Sequence, residues 1–177
     1  LSEWNDLLEK HHADLDHSWF TTTDQDREKM RAFRHALPVS VNERIVRYKQ
    51  KKVGTDMAVP DDKFVSFLRF YREKLDQSGL EYVVFGHIGD NHLHANMIPK
   101  NEAEATAARH LYGRFIAQAI MLGGTISAEH GIGKHKARYL YVQYGERYLN
   151  EMAELKKAFD PKGILGRGNM FDAKFIS

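Results

Sequence analysis

The spacing of apolar residues along the chain predicts its strands and helices. Residues 57–59 form a short apolar run that ends at Pro60, which is typical of a strand. Behind it, apolar residues recur at helical spacing until Gly79, a residue type that commonly follows the last turn of a helix. The apolar positions of this predicted helix are Phe64, Phe67, Leu68, Tyr71 and Leu75. A strand and an amphipathic helix are therefore expected within residues 57–79.

A similar succession follows it. Residues 80–85 and 92–98 are rich in residues that favour strands, and the stretch 86–91 between them predicts a turn. Asn101 and Glu104 have the spacing of a capping box, which indicates that a helix begins there. The apolar positions of that helix are Ala107, Leu111, Phe115 and Leu122. These segments predict a strand pair followed by a second helix.

A last short strand is predicted for residues 125–127, which completes the order β-α-β-β-α-β. This order is that of the ferredoxin-like fold. We therefore predict an α+β architecture with an antiparallel sheet and helices on one face. A further helical segment is expected over residues 137–159, where Asp160 and Pro161 end it.

The first part of the chain carries weaker signals. Residues 1–20 are polar and aromatic, and they predict a peripheral helix or strand. The histidines of this segment, which we expect at the surface, are His11, His12 and His17. Residues 22–24 resemble a helix start, and Pro38 is predicted to end that helix.

Composition narrows the possible functions. Hydrophobic residues make up 42% of the chain, which is enough for a packed core. The 26 basic and 24 acidic residues are interspersed, so nucleic acid is not expected as a partner. The sequence has no cysteine, which excludes disulfides, thiolate metal sites and a cysteine nucleophile. No run approaches the roughly 20 apolar residues of a membrane span.

Histidines concentrate between two predicted strands. Of ten histidines in the chain, three lie within residues 86–96. His92 and His94 are two residues apart on a predicted strand, so both point to the same face of the sheet. His87 precedes the turn, which can fold it back towards the start of the second strand. A cluster of potential ligands is therefore predicted at this turn.

Topology is expected to bring a carboxylate to this cluster. We expect the second and fourth strands to run in the same direction, so that one sheet edge carries His87, His94 and Glu129. Two imidazoles and one carboxylate with an open fourth position suit a catalytic Zn²⁺ or a similar divalent ion. Asp90 is a candidate to orient an imidazole through a hydrogen bond to the ring nitrogen that does not bind the metal. For each histidine the alternative is an ordinary packed or surface residue.

At these residues the chain resembles the C-terminal domain of FAD-linked oxidases. This family includes D-lactate dehydrogenases, glycolate oxidase and D-2-hydroxyglutarate dehydrogenase. Residues 86–96 follow the family pattern G-H-x-G-D-G-N-x-H-x-N, and residues 127–133 follow (S/G)-x-E-H-G-I-G. Residues 56–60 match D-x-x-V-P, and residues 159–171 approach F-D-P-x-G-I-L-N-P-G-K-M-F. Four signatures in the same order make this resemblance specific.

The resemblance implies roles for individual residues. The positions that match the family's metal ligands are His87, His94 and Glu129. His130 matches the general base that takes the hydroxyl proton of the substrate, and Asn96 matches a substrate-contacting asparagine. Arg34 falls where the family often has an arginine that clamps the substrate carboxylate, since a guanidinium binds a carboxylate in two places. The implied metal is zinc, with manganese as the alternative.

The chain also departs from the family pattern. Asn91 and His92 replace the usual Gly-Asn pair, which adds a polar group near the predicted metal. Arg31 stands where the family often has tryptophan, and residues 166–169 replace the pattern Asn-Pro-Gly-Lys near the flavin. These changes indicate a divergent substrate or a flavin that is held differently.

The resemblance implies that the full protein is a flavin-dependent dehydrogenase that oxidises a D-2-hydroxy acid to a 2-oxo acid. Residues 1–177 would form its substrate- and metal-binding domain, and the chain, which opens on leucine, would be a fragment of a longer enzyme. Nothing in the chain resembles an FAD-binding domain, so FAD is expected mainly on another part of the polypeptide or on a partner subunit. The chain alone is expected to be inactive.

Other readings stay open at this point. A cytoplasmic location is expected, or one peripheral to the membrane, and a homodimer is one option for the assembly. One alternative function is a metal-dependent hydrolase that uses the same two histidines and glutamate with a bound water. The other is a non-catalytic binding or assembly domain in which the histidines are idle.

Overall fold

A computed structural model describes residues 2–176 and shows an α+β fold built on an antiparallel sheet. The chain forms two units, one up to Glu43 and one from Arg44 onward. The first unit contributes helices, and the second contains the sheet and the main hydrophobic core. The prediction of a mixed helix and antiparallel sheet architecture is therefore confirmed. No helix within residues 2–176 is long and apolar enough to cross a bilayer.

Two helices dominate the first part of the chain, α1 (Ser2–Lys10) and α2 (Asp24–Tyr48). Thr23 caps α2, because its hydroxyl accepts a hydrogen bond from the backbone N–H of Asp26 at 3.2 Å. The predicted helix start is thus confirmed. The three histidines expected at the surface, His11, His12 and His17, are exposed.

The prediction that Pro38 ends this helix was wrong, since α2 continues for ten more residues. An internal proline removes one helical hydrogen bond and crowds the preceding turn, at a cost of about 3 kcal/mol. The last turns of α2 have partners that offset this cost. Arg44 forms an ion pair with Glu81, and the Tyr48 hydroxyl donates to the same carboxylate at 3.1 Å.

The sheet is organised around one central strand. Its strands are β1 (Val53–Gly54), β2 (Met57–Ala58), β3 (Tyr82–His87) and β4 (His92–Met97). β4 pairs with β3 on one side and with both β1 and β2 on the other, always antiparallel. The β3–β4 hairpin is joined by a 3₁₀ turn over Ile88–Asp90. This agrees with the strand pair expected from the apolar pattern.

The helices α3 (Phe64–Ser78) and α4 (Glu102–Met121) lie where the sequence predicts helices, with bounds that differ by a few residues. Gly79 ends α3 in a left-handed conformation with φ of 67°. Asn101 caps α4, because its side-chain oxygen accepts the N–H of Glu104 at 2.9 Å. Both boundaries follow from local chemistry, which explains why the sequence indicates them.

One face of β4 belongs to the hydrophobic core, and the other carries the polar side chains. The core face presents Leu93, Ala95 and Met97, which cluster with the buried stripes of α3 and α4. Tyr71 and Phe115 link those helices through stacked rings whose centroids are 4.1 Å apart. Burying each such large apolar side chain contributes about 1.5–3 kcal/mol. The strand alternation then sends His92, His94 and Asn96 to the opposite face.

The predicted last strand over residues 125–127 is reduced to one antiparallel bridge between Ala58 and Thr125. Because Ala58 is also antiparallel to β4, the chain at Thr125 runs parallel to β4 and opposite to β3. Our expectation that the second and fourth strands run in the same direction was therefore wrong. The ladder stops because Ala128, not Ser127, donates its N–H to the Asp56 carbonyl at 2.9 Å, which leaves one residue bulged. The ferredoxin-like topology stays a prediction.

The C-terminal part forms α5 (Ala137–Phe159) and the short α6 (Ala173–Ile176). α5 has the predicted bounds, with a kink at Gly145, where φ is 73°. Leu140 and Leu149 on α5 join the same core as the sheet. The segment that carries residues 127–136 is therefore held between the sheet and the start of α5.

Candidate metal centre

The β3–β4 hairpin brings three imidazoles to one face of the sheet. His87 lies directly opposite His92 in the strand register, and His94 follows two residues later. The ring centroids of His92 and His94 are 4.3 Å apart, and those of His87 and His94 are 6.4 Å apart. His92 and His94 are buried, whereas the His87 side chain is 48% exposed. The hairpin thus forms a histidine cluster in which His92 and His94 are buried and His87 faces solvent.

His94 is oriented by hydrogen bonds at both ring nitrogens. Its Nδ1 lies 3.0 Å from the carbonyl oxygen of Thr55, which only accepts, so Nδ1 carries the hydrogen. Nε2 faces the Glu129 carboxylate, whose Oε1 is 2.8 Å away. A hydrogen bond between these two atoms needs a second proton on the ring, and a metal ion bound by both groups would take the place of that proton. The hydrogen bond from Nδ1 to a backbone carbonyl is typical of histidines that bind a metal through Nε2.

Glu129 connects the hairpin to the segment after Thr125. Its Oε1 contacts His94, and its Oε2 lies 3.7 Å from Nε2 of His87. Burial alone would raise the pKa of Glu129, but the hydrogen bond to His94 and the nearby imidazoles hold that pKa below its ordinary value. Of the three residues predicted as metal ligands, His94 and Glu129 are thus in direct contact, whereas His87 lies outside the compact donor set described below. The carboxylate of Glu129 is in its charged form.

The backbone that carries Glu129 is held by Asp56, a buried carboxylate between β1 and β2. Asp56 accepts the backbone N–H groups of Glu129 and His130, both at 3.1 Å. It also accepts the Ser127 hydroxyl at 2.8 Å and the ammonium group of Lys136. Four donors converge on one side chain that is 1% exposed. We call the segment of residues 127–130 the Asp56-bound loop.

These donors determine the charge state of Asp56. Burial would raise the pKa of this carboxyl group, but the hydrogen bonds from Lys136, Ser127 and the Glu129 backbone outweigh it. The pKa of Asp56 is consequently well below its usual range. Our residue analysis assigned no role to Asp56 or Lys136. The motif over residues 56–60 was visible in the sequence, but its hydrogen-bond partners are more than 70 residues away.

His92 is the least satisfied side chain of the cluster. It is 3% exposed, and its Nε2 has no hydrogen-bond partner among residues 2–176. That atom lies 3.1 Å from Oδ1 of Asp56, but without the angles of a hydrogen bond. Burial lowers the pKa of His92, and the nearby His94 lowers it further, so the neutral imidazole is favoured. The sequence indicated only an extra polar group here.

His130 and Asn96 occupy different surroundings in the same unit. Nε2 of His130 lies 3.2 Å from Oε1 of Glu129, and its ring stacks on that of His94 with centroids 4.9 Å apart. The His130 side chain is 61% exposed and therefore open to a ligand. Asn96 is buried on β4, on the same face as His94. Arg34 lies on α2 in the first unit, where its side chain is exposed.

A cavity of about 430 Å³ opens beside the cluster. Its lining residues are Ala58, His87, Asp90, His92, Thr125, Ala128 and Glu129. Cavities of roughly 300–1,000 Å³ are typical of small-ligand sites. Asp90, predicted to orient an imidazole, forms part of this wall. A small ligand in this cavity can therefore contact the cluster.

The donor set suits a divalent cation. Asp56, His92, His94 and Glu129 each offer a nitrogen or oxygen atom, and these atoms all lie within 4.8 Å of one another. Imidazole and carboxylate donors are the usual ligands of zinc and related ions in catalytic sites. The facing ring and carboxylate of His94 and Glu129 and the unpartnered Nε2 of His92 fit a cation as well. The residues present thus match the chemistry that a metal requires.

Comparison with protein families gives one match over nearly the whole chain. The family model described as FAD linked oxidases, C-terminal domain, matches residues 2–170. This range contains every residue of the cluster and the Asp56-bound loop. The match agrees with the resemblance that the four sequence signatures indicate.

Individual relatives have consistent names. The chain is 32% identical over 129 residues to the glycolate oxidase subunit GlcD of Bacillus subtilis, a match that covers 72% of the chain and 27% of the relative. It is 38% identical over 117 residues to a mitochondrial D-lactate dehydrogenase [cytochrome] of Kluyveromyces lactis, covering 66% and 20%. It is 32% identical over 142 residues to a D-2-hydroxyglutarate dehydrogenase of Xanthomonas citri pv. viticola, covering 77% and 30%. The chain thus matches less than a third of the length of each relative.

Proposed function

Because the chain belongs to the family of C-terminal domains of FAD-linked oxidases, we propose that it is the substrate- and metal-binding part of a flavin-dependent dehydrogenase. The proposed reaction oxidises a D-2-hydroxy acid to a 2-oxo acid. The relatives' names support this class, since glycolate, D-lactate and D-2-hydroxyglutarate are all 2-hydroxy acids. The observation that carries the proposal is the convergence of His87, His94 and Glu129 beside a cavity whose volume of about 430 Å³ suits a small ligand.

His87, His94 and Glu129 are the proposed metal ligands, with zinc as the expected ion and manganese as the alternative. A divalent cation held there supplies Lewis acidity towards the hydroxyl and carboxylate oxygens of the substrate. The Thr55 carbonyl fixes the His94 ring so that Nε2 is the ligand atom. Glu129 supplies a negative charge that its surroundings keep ionised.

His130 is the proposed general base that removes the proton of the substrate hydroxyl. Its ring is exposed at the edge of the cluster, and its Nε2 lies 3.2 Å from the Glu129 carboxylate. A nearby carboxylate stabilises the imidazolium that forms when the ring takes a proton. The Asp56-bound loop positions this ring, since Asp56 accepts the His130 backbone N–H.

Asn96 and Arg34 are the proposed substrate-binding residues. Asn96 follows His94 on the same strand face, which supports a contact with a ligand at the cluster. Arg34 is exposed on α2, and its guanidinium is suited to a substrate carboxylate. Both proposals also rest on the positions that these residues match in the family pattern.

FAD is the proposed acceptor of the hydride that leaves the α-carbon of the substrate. We propose that a further domain holds it, either on the same polypeptide or on a partner subunit. This is consistent with relatives that are more than three times longer than their matched segments. The order Thr125, β2, β4, β3 across the antiparallel sheet supports a ferredoxin-like core for the present domain.

Metal content and substrate binding test this proposal directly. The purified chain without a histidine tag is expected to hold about one equivalent of zinc or manganese, measured by plasma mass spectrometry. The His87→Ala, His94→Ala double variant is expected to lose it. Calorimetric titration of the metal-loaded chain with D-lactate and D-2-hydroxyglutarate follows, with the corresponding acids that lack the 2-hydroxyl as controls.

The outcomes separate the competing functions. Metal-dependent binding of a 2-hydroxy acid supports the proposal. Hydrolysis of esters or amides by the metal-loaded chain, without any flavin, would instead indicate a metal-dependent hydrolase. If neither metal nor 2-hydroxy acid binds, the domain is a non-catalytic one. Turnover of D-lactate with a dye acceptor by this chain alone would contradict the proposal that a further domain holds FAD.

A further inference from the structure

Nε2 of His92 has no hydrogen-bond partner among the described residues 2–176. The residue is 3% exposed, although it also lines the cavity beside the cluster. A buried polar group without a partner costs about 1–3 kcal/mol. The family pattern quoted above has asparagine at this position, so the imidazole is a departure of this chain. The energetic cost of this nitrogen therefore requires a compensating interaction.

Asp56 does not supply the missing partner. Its Oδ1 lies 3.1 Å from Nε2 of His92, but the angles do not form a hydrogen bond. Oδ2 of Asp56 accepts Lys136, Ser127 and the His130 backbone N–H, and Oδ1 accepts the Glu129 backbone N–H. Oδ1 and Nε2 of His92 therefore face each other without the geometry of a hydrogen bond. A metal ion bound at this nitrogen would supply the partner that it lacks.

The position of His92 fits a shared cation. His92 offers a ring nitrogen to a set of donor atoms within 4.8 Å of one another, together with Asp56, His94 and Glu129. The rings of His92 and His94 are nearly perpendicular, with 70° between their planes and centroids 4.3 Å apart. Donors around a tetrahedral zinc ion at 2.0–2.2 Å are about 3.3–3.6 Å apart. An ion therefore needs to draw the most widely separated of these atoms together by at most about 1.2–1.5 Å.

We propose that His92 is an additional metal ligand in this chain, and that it joins His94, Glu129 and His87 around a single divalent cation. This inference rests on the proposed function, since it concerns the metal of the same site. Three imidazoles and one carboxylate fill a tetrahedral shell, so a substrate oxygen would be a fifth donor. The consequence is a more tightly held metal with fewer free positions than two histidines and one glutamate provide.

The experiment compares His92→Asn with His110→Asn in the 177-residue chain. Asparagine is the residue of the family pattern, and His110 is an exposed histidine on α4, outside the cluster. Zinc dissociation constants are measured by competition with a chelator, and the visible absorption spectrum is recorded for the Co²⁺-loaded proteins. We expect His92→Asn to bind zinc at least tenfold more weakly and to change the Co²⁺ spectrum, and His110→Asn to do neither.

The spectrum is needed because affinity alone does not identify a ligand. Residues that only orient a metal ligand also change metal affinity, by about 10–100-fold. Weaker zinc binding with an unchanged Co²⁺ spectrum would therefore overturn the inference and make His92 a positioning residue. Unchanged affinity would overturn it too. In both cases the proposed function stands, because the wild-type chain binds metal.

Two further results cover the remaining cases. If the wild-type chain binds no metal, both this inference and the metal part of the proposed function fail. If His92→Asn does not fold, nitrogen NMR of the wild-type imidazoles decides without a variant. Nε2 of His92 is then expected to shift on zinc addition as strongly as Nε2 of His94, and the absence of such a shift would overturn the inference.

Discussion

The β3–β4 hairpin and the Asp56-bound loop both supply candidate ligands, but they are built in different ways. The hairpin histidines are positioned by strand register, in which His87 faces His92 across one pair of strands. Glu129 and His130 lie in a segment without regular secondary structure. Their backbone is held by Asp56, which precedes them by more than 70 residues. One half of the site is therefore local in sequence, and the other half depends on a single distant carboxylate.

This difference has consequences for stability and for metal binding. A register of six residue pairs distributes the hairpin's stability over many contacts. The loop concentrates its contacts on Asp56 and Lys136, which are both buried. A substitution in the loop's anchor should therefore disturb Glu129 and His130 together, whereas most single substitutions in the hairpin should not.

The largest expected effect is that of Asp56→Ala. It leaves the buried Lys136 ammonium without its counter-charge and frees two backbone N–H groups. Removing one partner of a buried ion pair costs about 3–5 kcal/mol. The free energy of unfolding is measured by urea denaturation, with the exposed Asp62→Ala as control. A loss below about 1 kcal/mol would show that the loop has another anchor.

Gly86→Ala tests the hairpin with a smaller expected effect. A methyl group on Gly86 would lie 2.3 Å from the carbonyl oxygen of His92 and 2.9 Å from Cα of Leu93. Because both contacts are to backbone, the strands must shift, at about 1–3 kcal/mol. Gly89→Ala, in the 3₁₀ turn of the same hairpin and with open space at its Cα, is the matched control. Equal thermal stability of the two variants would contradict the predicted close approach.

Ser127→Ala weakens the loop without removing its charge pair. The Ser127 hydroxyl contacts Asp56 at 2.8 Å and receives a hydrogen bond from Lys136 at 2.9 Å. We expect a loss of about 1 kcal/mol in the free energy of unfolding, since the ion pair remains. Ser66→Ala, which removes an exposed hydroxyl on α3, serves as control. A loss as large as that of Asp56→Ala would mean that the hydroxyl, not the ion pair, holds the loop.

The smallest expected effect is a pH dependence from His92. Burial lowers its pKa in the folded chain below the ordinary value of 6.5. Between the folded pKa and 6.5 the unfolded chain binds more protons, so stability decreases as the pH falls through this range. A single group contributes at most about 1.4 kcal/mol per pH unit. Urea denaturation at pH 7.5 and 5.5 with a chelator should show a smaller pH dependence for His92→Asn than for the wild-type chain.

Much of the fold follows from local sequence signals. Gly79 and Asn101 mark helix boundaries through contacts with their immediate neighbours, and the structure shows both. Pro38 is the exception, because distant contacts of Arg44 and Tyr48 support the helix beyond it. The segment 125–127 also differs from its prediction, since a bulge opposite Asp56 ends the ladder after one bridge.

The candidate ligands lie near one another as expected from the sequence, but the expected reason was partly wrong, and their role as ligands stays a prediction. His87, His94 and Glu129 do meet, although the chain at Thr125 runs opposite to the direction expected from the strand order. Glu129 reaches His94 because Asp56 holds its backbone near the middle of the sheet. The strand periodicity places imidazoles on one face, but it does not place a residue in an irregular loop.

The sequence by itself determined most of the helices, the hairpin, the family and the residue types that suit a metal. These depend on short-range spacing and on motifs, which are visible in a linear chain. Only the tertiary structure decided that Asp56 and Lys136 anchor the loop, and that Nε2 of His92 is buried without a hydrogen-bond partner among residues 2–176. Such features depend on contacts between residues far apart in the chain, and no local pattern records which distant donor a buried acceptor will meet.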